Sequence, residues 1–353
     1  MTSQPLKRLL ILGAGGVAAV NFINALRASD TPYFIVGIDI NPYHLEWPKA
    51  DKVYLAQARL SDEDYILFIN KIIRTHNLDF IYAQPDGEVT RLAKLRSQID
   101  AKHFLPPYQT VLTCQDKKAT ALAWQNAGII NYDTLQVTSR ADLDAACDRY
   151  HNQFWMRADA GAGGLRSTPV HNYGTAIGWF DYWKARDPDA RFIVQKLLSG
   201  TDLSVQYLWH EGRLIGAQAR ERVEYFYPHL SPSGITGTPS VSKAIRRTDV
   251  VEMGIRAIQT IDPAPHGVFG VDFKEDETGI PRPTEINCGR FFTTSMFYAN
   301  AGFNLPHLYV QAGFGELSST APIINPLPDE LLWIRHIDCP AVMIKGEDLK
   351  VNR

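Results

Sequence analysis

The chain has 353 residues, 45% of them hydrophobic and 21% charged, which is enough apolar content for packed cores in two or three domains. Its 36 basic and 38 acidic side chains leave a formal charge of -2, so neither nucleic acid nor an anionic membrane is expected as a general electrostatic partner. Any recognition of phosphate has to be local.

In chain order, Lys7 and Arg8 precede an apolar run over residues 9–20. That run has the outline of a secretory signal, but glycines interrupt it and it opens a strand-turn-helix pattern. Residues 9–12 read as a buried strand, Gly13-Ala14-Gly15-Gly16 as the turn, and the helix runs to about residue 28. A second strand over 34–38 ends at Asp39. Ser61 with Asp64 starts a helix whose face carries Tyr65, Ile69, Ile72 and Ile73. A strand over 80–82 and a helix marked by Val89, Leu92 and Leu95 complete an alternation typical of a parallel α/β domain. Pro106 and Pro107 mark its boundary.

Beyond that boundary the texture changes. Thr113 is expected to cap a helix with Asp116 at its third position, closed by Gly128. A strand over 154–157 runs into a glycine-rich loop, another covers 191–197, and strands over 203–209 and 213–219 form a hairpin about His210-Glu211-Gly212. A helix spans about 248–261, and strands over 268–274 and 283–287 form a last hairpin about the acidic turn 275–279. Hairpins joined by helices indicate an α+β body. The cysteines Cys114, Cys147, Cys288 and Cys339 are far apart, which fits a reducing, cytoplasmic setting rather than a disulfide framework or zinc knuckle. No stretch approaches the ~20 apolar residues that span a bilayer.

The motif Gly13-x-Gly15-x-x-Ala18, with Asp39 ending the next strand, has the form of a dinucleotide fingerprint. The same loop equally serves close packing of strand and helix, and nothing downstream supplies a hydride-transfer site. The stronger signal is Asp272 with Glu285 and Asn287. Centring the hairpin between Thr278 and Gly279 places Asp272 opposite Glu285, with Asn287 on the same face and Val271, Phe273 and Ile286 on the other. Two carboxylates and an amide oxygen gathered this way call for a hard cation, and oxygen ligands suit Mg²⁺ bridging nucleotide phosphates. Each residue alone is as well explained as a solvated position on a hairpin.

At these residues the chain resembles the ATP-grasp superfamily, particularly the synthetase units of carbamoyl phosphate synthetase large chains. The resemblance rests on Asp116-Lys117, Trp155-Met156-Arg157, Gly161-Ala162-Gly163-Gly164, Gln195-Lys196-Leu197-Leu198, Gly200, Asp202, Gly234-Ile235-Thr236-Gly237, Asp272, Glu285-Ile286-Asn287 and Arg290, in that order. It implies an N-terminal Rossmann-like α/β domain (1–106) that binds no nicotinamide. An α+β ATP-grasp fold of two subdomains is implied to follow, a small one with the phosphate loop (107–198) and a large one with the metal site and tail (199–353).

The resemblance also assigns roles. Lys117 and Arg157 would hold ATP phosphates, and Gly161, Gly163 and Gly164 would close over them. Gln195, Lys196 and Leu197 would line the adenine pocket, and Asp202 would accept from the ribose. Asp272, Glu285 and Asn287 would bind Mg²⁺, with Mn²⁺ as a substitute. Arg290 and Arg220 would be catalytic, although the glycine between Asn287 and Arg290 departs from the family's Asn-Pro-Arg. Arg220 and Arg222 lie where an arginine would clamp a substrate carboxylate, or Arg220 pairs with Glu224 along its strand. Asp86 and Glu88 are candidate contributors to the acid's pocket.

The implied function is an ADP-forming ligase that activates a small carboxylate as an acyl phosphate for attack by an amine. A non-catalytic nucleotide-binding module and an NAD(P)-dependent oxidoreductase are its rivals. The tail over 322–353, with Trp333, would pack on the body or on a second copy in a homodimer.

Overall fold

The structure, a computed structural model, describes residues 5–159, 166–317, 321–337, 339–345 and 347. The first layer is a parallel sheet in the order β3-β2-β1-β4, built from β1 (Lys7–Leu12), β2 (Tyr33–Asp39), β3 (Lys52–Leu55) and β4 (Phe80–Ala83). Between these strands run α1 (Val17–Arg27) and α2 (Asp62–His76), and α3 (Asp86–Leu95) follows β4. Ser61 caps α2 by accepting from the Asp64 amide at 3.0 Å, and the predicted face of Tyr65, Ile69, Ile72 and Ile73 is buried. Strand β3 was not legible because it is a short outer strand whose Val53 and Leu55 stay exposed.

Two helices then replace the one expected across 113–128. Helix α4 (Tyr108–Gln115) contains Thr113, whose hydroxyl bonds back to the Gln109 carbonyl. The cap belongs instead to Asp116, which accepts from the Ala119 amide at 2.9 Å and starts α5 (Lys117–Asn126). That side chain takes a donor the helix would otherwise use internally, so the chain turns there and Lys117 opens a fresh first turn. Both helices pack on the main body: the Trp124 indole donates to the Ala257 carbonyl at 3.0 Å.

A small sheet in the order β5-β8-β6-β7 combines β5 (Leu135–Val137), β6 (Phe154–Ala158), β7 (Thr168–Val170) and β8 (Phe192–Lys196). It is backed by α6 (Arg140–Arg149) and α7 (Tyr173–Arg186), which enclose a separate core around Phe154, Phe180 and Phe192.

The large antiparallel sheet runs β13-β12-β9-β10-β11-β15-β16. Its strands are β9 (Asp202–His210), β10 (Arg213–Tyr225), β11 (Pro239–Ile245), β12 (Gly267–Glu275) and β13 (Pro281–Cys288), with β14 (Ile323–Ile324) beside β10, then β15 (Leu331–His336) and β16 (Cys339–Lys345). The β9–β10 turn places Glu211 at φ 50° and Gly212 at φ 79°, the left-handed pair that a two-residue hairpin turn requires. Helix α8 (Thr248–Ile261) covers the back of this sheet. Helices α9 (Ser295–Asn300) and α10 (Leu305–Phe314) return to the first domain, where Tyr309 packs edge-on against Phe80 and Tyr82.

The tail joins the chain's own body: Ser242 pairs with Trp333 across β11 and β15, and the indole is buried and stacked on Phe297 at 5.5 Å. Trp333→Ala is therefore expected to cost about 3–5 kcal/mol, read from urea unfolding of the full chain. A change below about 0.5 kcal/mol would show that the tail is dispensable to the body.

Candidate active site

The last hairpin sets the geometry. Asp276 closes its turn by accepting from the Thr278 amide at 2.9 Å and the Ile280 amide at 3.1 Å, and Gly279 supplies φ 79°. Next to the turn Glu275 pairs with Pro281, so the hairpin is centred on Thr278 rather than between Thr278 and Gly279. A one-residue irregularity between Asp272 and Phe273 then restores the expected pairs, Asp272 with Glu285 and Gly270 with Asn287. Val271, Phe273 and Ile286 enter the core on the far face. Asp272, Glu285 and Asn287 turn the other way, into a cavity of about 630 Å³ between the small sheet and the large one.

The register continues across the sheet. Asp272 pairs with Ser204 on β9, and Ser204 with Arg220 on β10. One row across four strands thus reads Glu285, Asp272, Ser204, Arg220. At ~4.8 Å between neighbouring strands, the arginine lies about 10 Å beyond Asp272.

Cations converge on this row from several elements. Lys117, in the first turn of α5, lies 3.4 Å from Glu285, and Arg157, at the end of β6, lies 3.8 Å from its other oxygen. Arg157 is further fixed by the Thr284 carbonyl at 2.7 Å and the Gln195 amide oxygen at 3.3 Å. Arg222 approaches Asp272 at 3.5 Å, a contact the sequence reading missed. Its signal was the Arg-x-Arg alternation of residues 220–222, which puts both guanidiniums on one face of β10.

The two acids titrate differently. Burial pushes the Glu285 carboxyl up, but Lys117 and Arg157 outweigh it, and the group is held below its usual range. At Asp272 burial prevails over Arg222, and its carboxyl is raised.

Arg220 is buried and bonded to hydroxyls: its Nε donates to Ser204 at 2.8 Å, and its Nη1 donates to Ser242 at 3.3 Å and to Thr294. Glu224, the other partner considered for it, accepts from Ser240 at 2.8 Å instead. Along a strand, residues four apart share a face but stand ~13 Å apart, so the pairing expected in a helix does not form. The Arg220 guanidinium lies over the Phe292 ring and lines the cavity.

Three buried polar atoms at this site lack a hydrogen-bond partner: Arg157 Nε, Arg222 Nε and Asp272 Oδ1. These unpaired atoms leave polar capacity at the cavity that a ligand or water can take up.

The remaining expected residues are distributed as follows. Lys196, Leu197 and Asp202 line the cavity, with Lys196 paired to Glu277 at 2.6 Å and Asp202 to Lys274 at 3.2 Å. The Gln195 side chain is engaged by Arg157 and by the Thr134 hydroxyl at 2.9 Å, so it braces that arginine. Gly161, Gly163 and Gly164 lie outside the described residues. Arg290 reaches the cavity but is held by Asp86 and Asn287. Glu88 accepts from the Tyr65 hydroxyl at 2.7 Å within the first domain.

The first glycine loop is a packing device. The Gly15 amide donates to Asp39 at 3.0 Å, and a Cβ on Gly15 would fall 2.3 Å from the His44 carbonyl oxygen. A Cβ on Gly13 would meet the Pro85 ring at the same distance. The acid and the amide of the dinucleotide reading are thus spent on each other, and the chain itself fills the space above them.

No family model and no curated protein sequence matches the chain. Solved structures do. The N5-carboxyaminoimidazole synthetase of Staphylococcus aureus, complexed with ADP, aligns over 94% of this chain and 82% of its own at 15% identity and TM-score 0.71. The L-amino acid ligase of Bacillus licheniformis aligns over 93% and 78% at 12% identity and TM-score 0.67. The biotin carboxylase domain of Hydrogenobacter thermophilus 2-oxoglutarate carboxylase, a dimer with MgADP and bicarbonate, aligns over 93% and 73% at 14% identity and TM-score 0.69. The chain thus has the ATP-grasp fold: an N-terminal parallel α/β sheet followed by two antiparallel sheets around a central cleft. Among the described residues, no helix is long and apolar enough to cross a membrane.

The Arg222–Asp272 pair gives a test of the site's electrostatics. Arg222→Ala strands a buried carboxylate and should cost about 3–5 kcal/mol in urea unfolding at neutral pH. Adding Asp272→Asn should return part of that loss. Additive losses in the double variant would show that the two side chains do not act as a pair.

Proposed function

We propose that this chain is an ATP- and Mg²⁺-dependent ligase, which activates a small carboxylate as an acyl phosphate and passes the acyl group to an amine. The observation that carries the reading is that Glu285, Asp272 and Arg220, which share one row across the sheet, line one cavity together with Lys117 and Arg157. The solved structures of the same fold that bind ADP, MgADP and bicarbonate support it.

The donor set fits a hard cation. Among the described residues no three His, Cys, Asp or Glu side chains could hold a metal together. Two carboxylates and an amide suit Mg²⁺, which keeps waters and completes its shell with phosphate oxygens. The unsatisfied Oδ1 of Asp272 is available to it, and Mn²⁺ fits the same oxygens. When bound, the ion would neutralise and align the β- and γ-phosphates.

This chain's residues would do the remaining work. Lys117 and Arg157 bind the phosphates, and Leu197 and Asp202 border the space left for the nucleoside. Arg220, with no acid within ion-pair distance among the described residues, orients the substrate carboxylate for in-line attack on the γ-phosphorus. The new O–P bond forms as the bond to the β-phosphate oxygen breaks and ADP departs. Amine nitrogen then attacks the acyl carbon, phosphate leaves with the electron pair of the C–O bond, and the ammonium proton is lost to water. The protein contributes position and charge to each step. An amino acid or another small organic acid suits a single cavity of this size better than a chain of two successive phosphorylations.

The decisive experiment is an ADP-release screen over paired acids and amines with Mg²⁺. Glu285→Gln should lower substrate-dependent ADP release at least ~100-fold, the scale of removing one electrostatic contact to the transition state, while circular dichroism stays native. Full turnover by that variant would refute the metal assignment. Stabilisation by MgATP with no ADP release from any pair would point to a nucleotide-binding module.

A further inference from the structure

The extra glycine before Arg290 has a specific consequence. Gly289 adopts φ 78°, its amide donates to the Val268 carbonyl at 2.8 Å, and a Cβ there would fall 2.6 Å from Val89 Cγ1. Only glycine tolerates both the backbone angle and the contact. Val89 lies on α3, about one turn from Asp86, the helix's first residue. This close approach brings Arg290 to the start of a helix in the first domain.

There the guanidinium takes both oxygens of one carboxylate. Arg290 Nε donates to Asp86 Oδ1, and Nη2 donates to Oδ2 at 3.2 Å. Nη2 also donates to the Asn287 amide oxygen, and the Asn287 amide nitrogen lies 3.5 Å from Asp272 Oδ2. Asp86 is anchored in turn, because its carbonyl accepts from Thr90 at 2.9 Å and from Gln115 at 3.2 Å. Its carboxylate sits at the positive end of α3. A continuous polar chain therefore runs from the first domain through Arg290 and Asn287 to the acids of the cavity.

We propose that Asp86 is a positioning residue of the metal-nucleotide site. By gripping the Arg290 fork it fixes the Asn287 amide, so that the oxygen donors are complete only when the first domain is docked against the large sheet. The inference rests on the ligase reading's Mg²⁺–nucleotide site. It adds a residue that contacts neither substrate nor ion and belongs to another domain. An amide oxygen has two lone pairs, so Asn287 keeps one for an ion while the other accepts from Arg290.

The test is a thermal-shift titration of the full chain, with ADP fixed and Mg²⁺ varied. Asp86→Asn should raise the Mg²⁺ midpoint about 10- to 100-fold, the usual cost of losing an outer partner of a metal ligand. Arg290→Ala should raise it similarly, and the double variant no further than Arg290→Ala alone. Asp86→Glu, which keeps the charge, should recover part of the loss. Should Asp86→Asn fail to fold, Arg290→Lys, which removes the two-pronged grip, gives the same comparison. A merely structural ion pair would lower the melting temperature without ADP and leave the midpoint in place, which would overturn the proposal. So would a further full increment in the double variant. A wild-type chain that ADP with Mg²⁺ does not stabilise would overturn the nucleotide reading itself.

Discussion

The site depends on cross-strand register. Side chains alternate faces along a strand, so slipping β13 by one residue against β12 would bury Glu285 and Asn287 and turn Ile286 into the cavity. The irregularity between Asp272 and Phe273, rather than the turn, sets the register at the acids and opposes that slip locally. The apolar residues Val271, Phe273 and Ile286 prevent it globally, because they are buried only in the observed register. Packing energy is thereby converted into the placement of two carboxylates that would repel each other if left to themselves.

That repulsion explains much of the surrounding architecture. Lys117 comes from a helix that the main body holds, Arg157 from the small sheet and Arg222 from the neighbour of the neighbouring strand, so three separate elements compensate two acids. The cations stand 3.4 to 3.8 Å from the acids, and one oxygen of Asp272 stays unsatisfied. Charges held near each other without closing leave room for a ligand rich in oxygen and for the ion that accompanies it. A tighter network would be a structural ion cluster and would have nothing to bind.

Much of this was legible in the sequence because it is local. The alternation of polar and apolar residues in 270–287 fixes the face and makes the Asp272–Glu285 opposition legible, whereas the one-residue irregularity between that pair and the turn is not. What escaped depends on partners distant in sequence. Arg222 meets Asp272 only because β9 lies between their strands, and Gln195 braces Arg157 only because β8 lies beside β6. The Thr113 cap failed for a different reason: Thr113 and Asp116 both have capping chemistry, and the choice between them rested on the helix that Pro107 precedes. Helix α10 did carry local signals that went unread, an Asn304 cap, Pro306 in its first turn and Gly315 at its end.

The role of the first domain follows from the same distinction. Its glycine loop has the form of a cofactor site, yet Asp39, His44 and Pro85 consume the amide, the acid and the space that a dinucleotide would need. Its sheet is instead tied to the body at several points: Lys7 to Glu316, Tyr33 to His307 at 2.7 Å, Gln84 to the Phe291 carbonyl at 3.0 Å, and Asp86 to Arg290. Two of these four fall at the C-terminal end of β4, next to Arg290 and Phe292, which wall the cavity. A domain that served only as a rigid support would gain nothing from concentrating polar contacts at that edge, where each costs desolvation and requires good geometry. The arrangement makes sense if the first domain completes the site from outside, setting side chains that belong to another sheet.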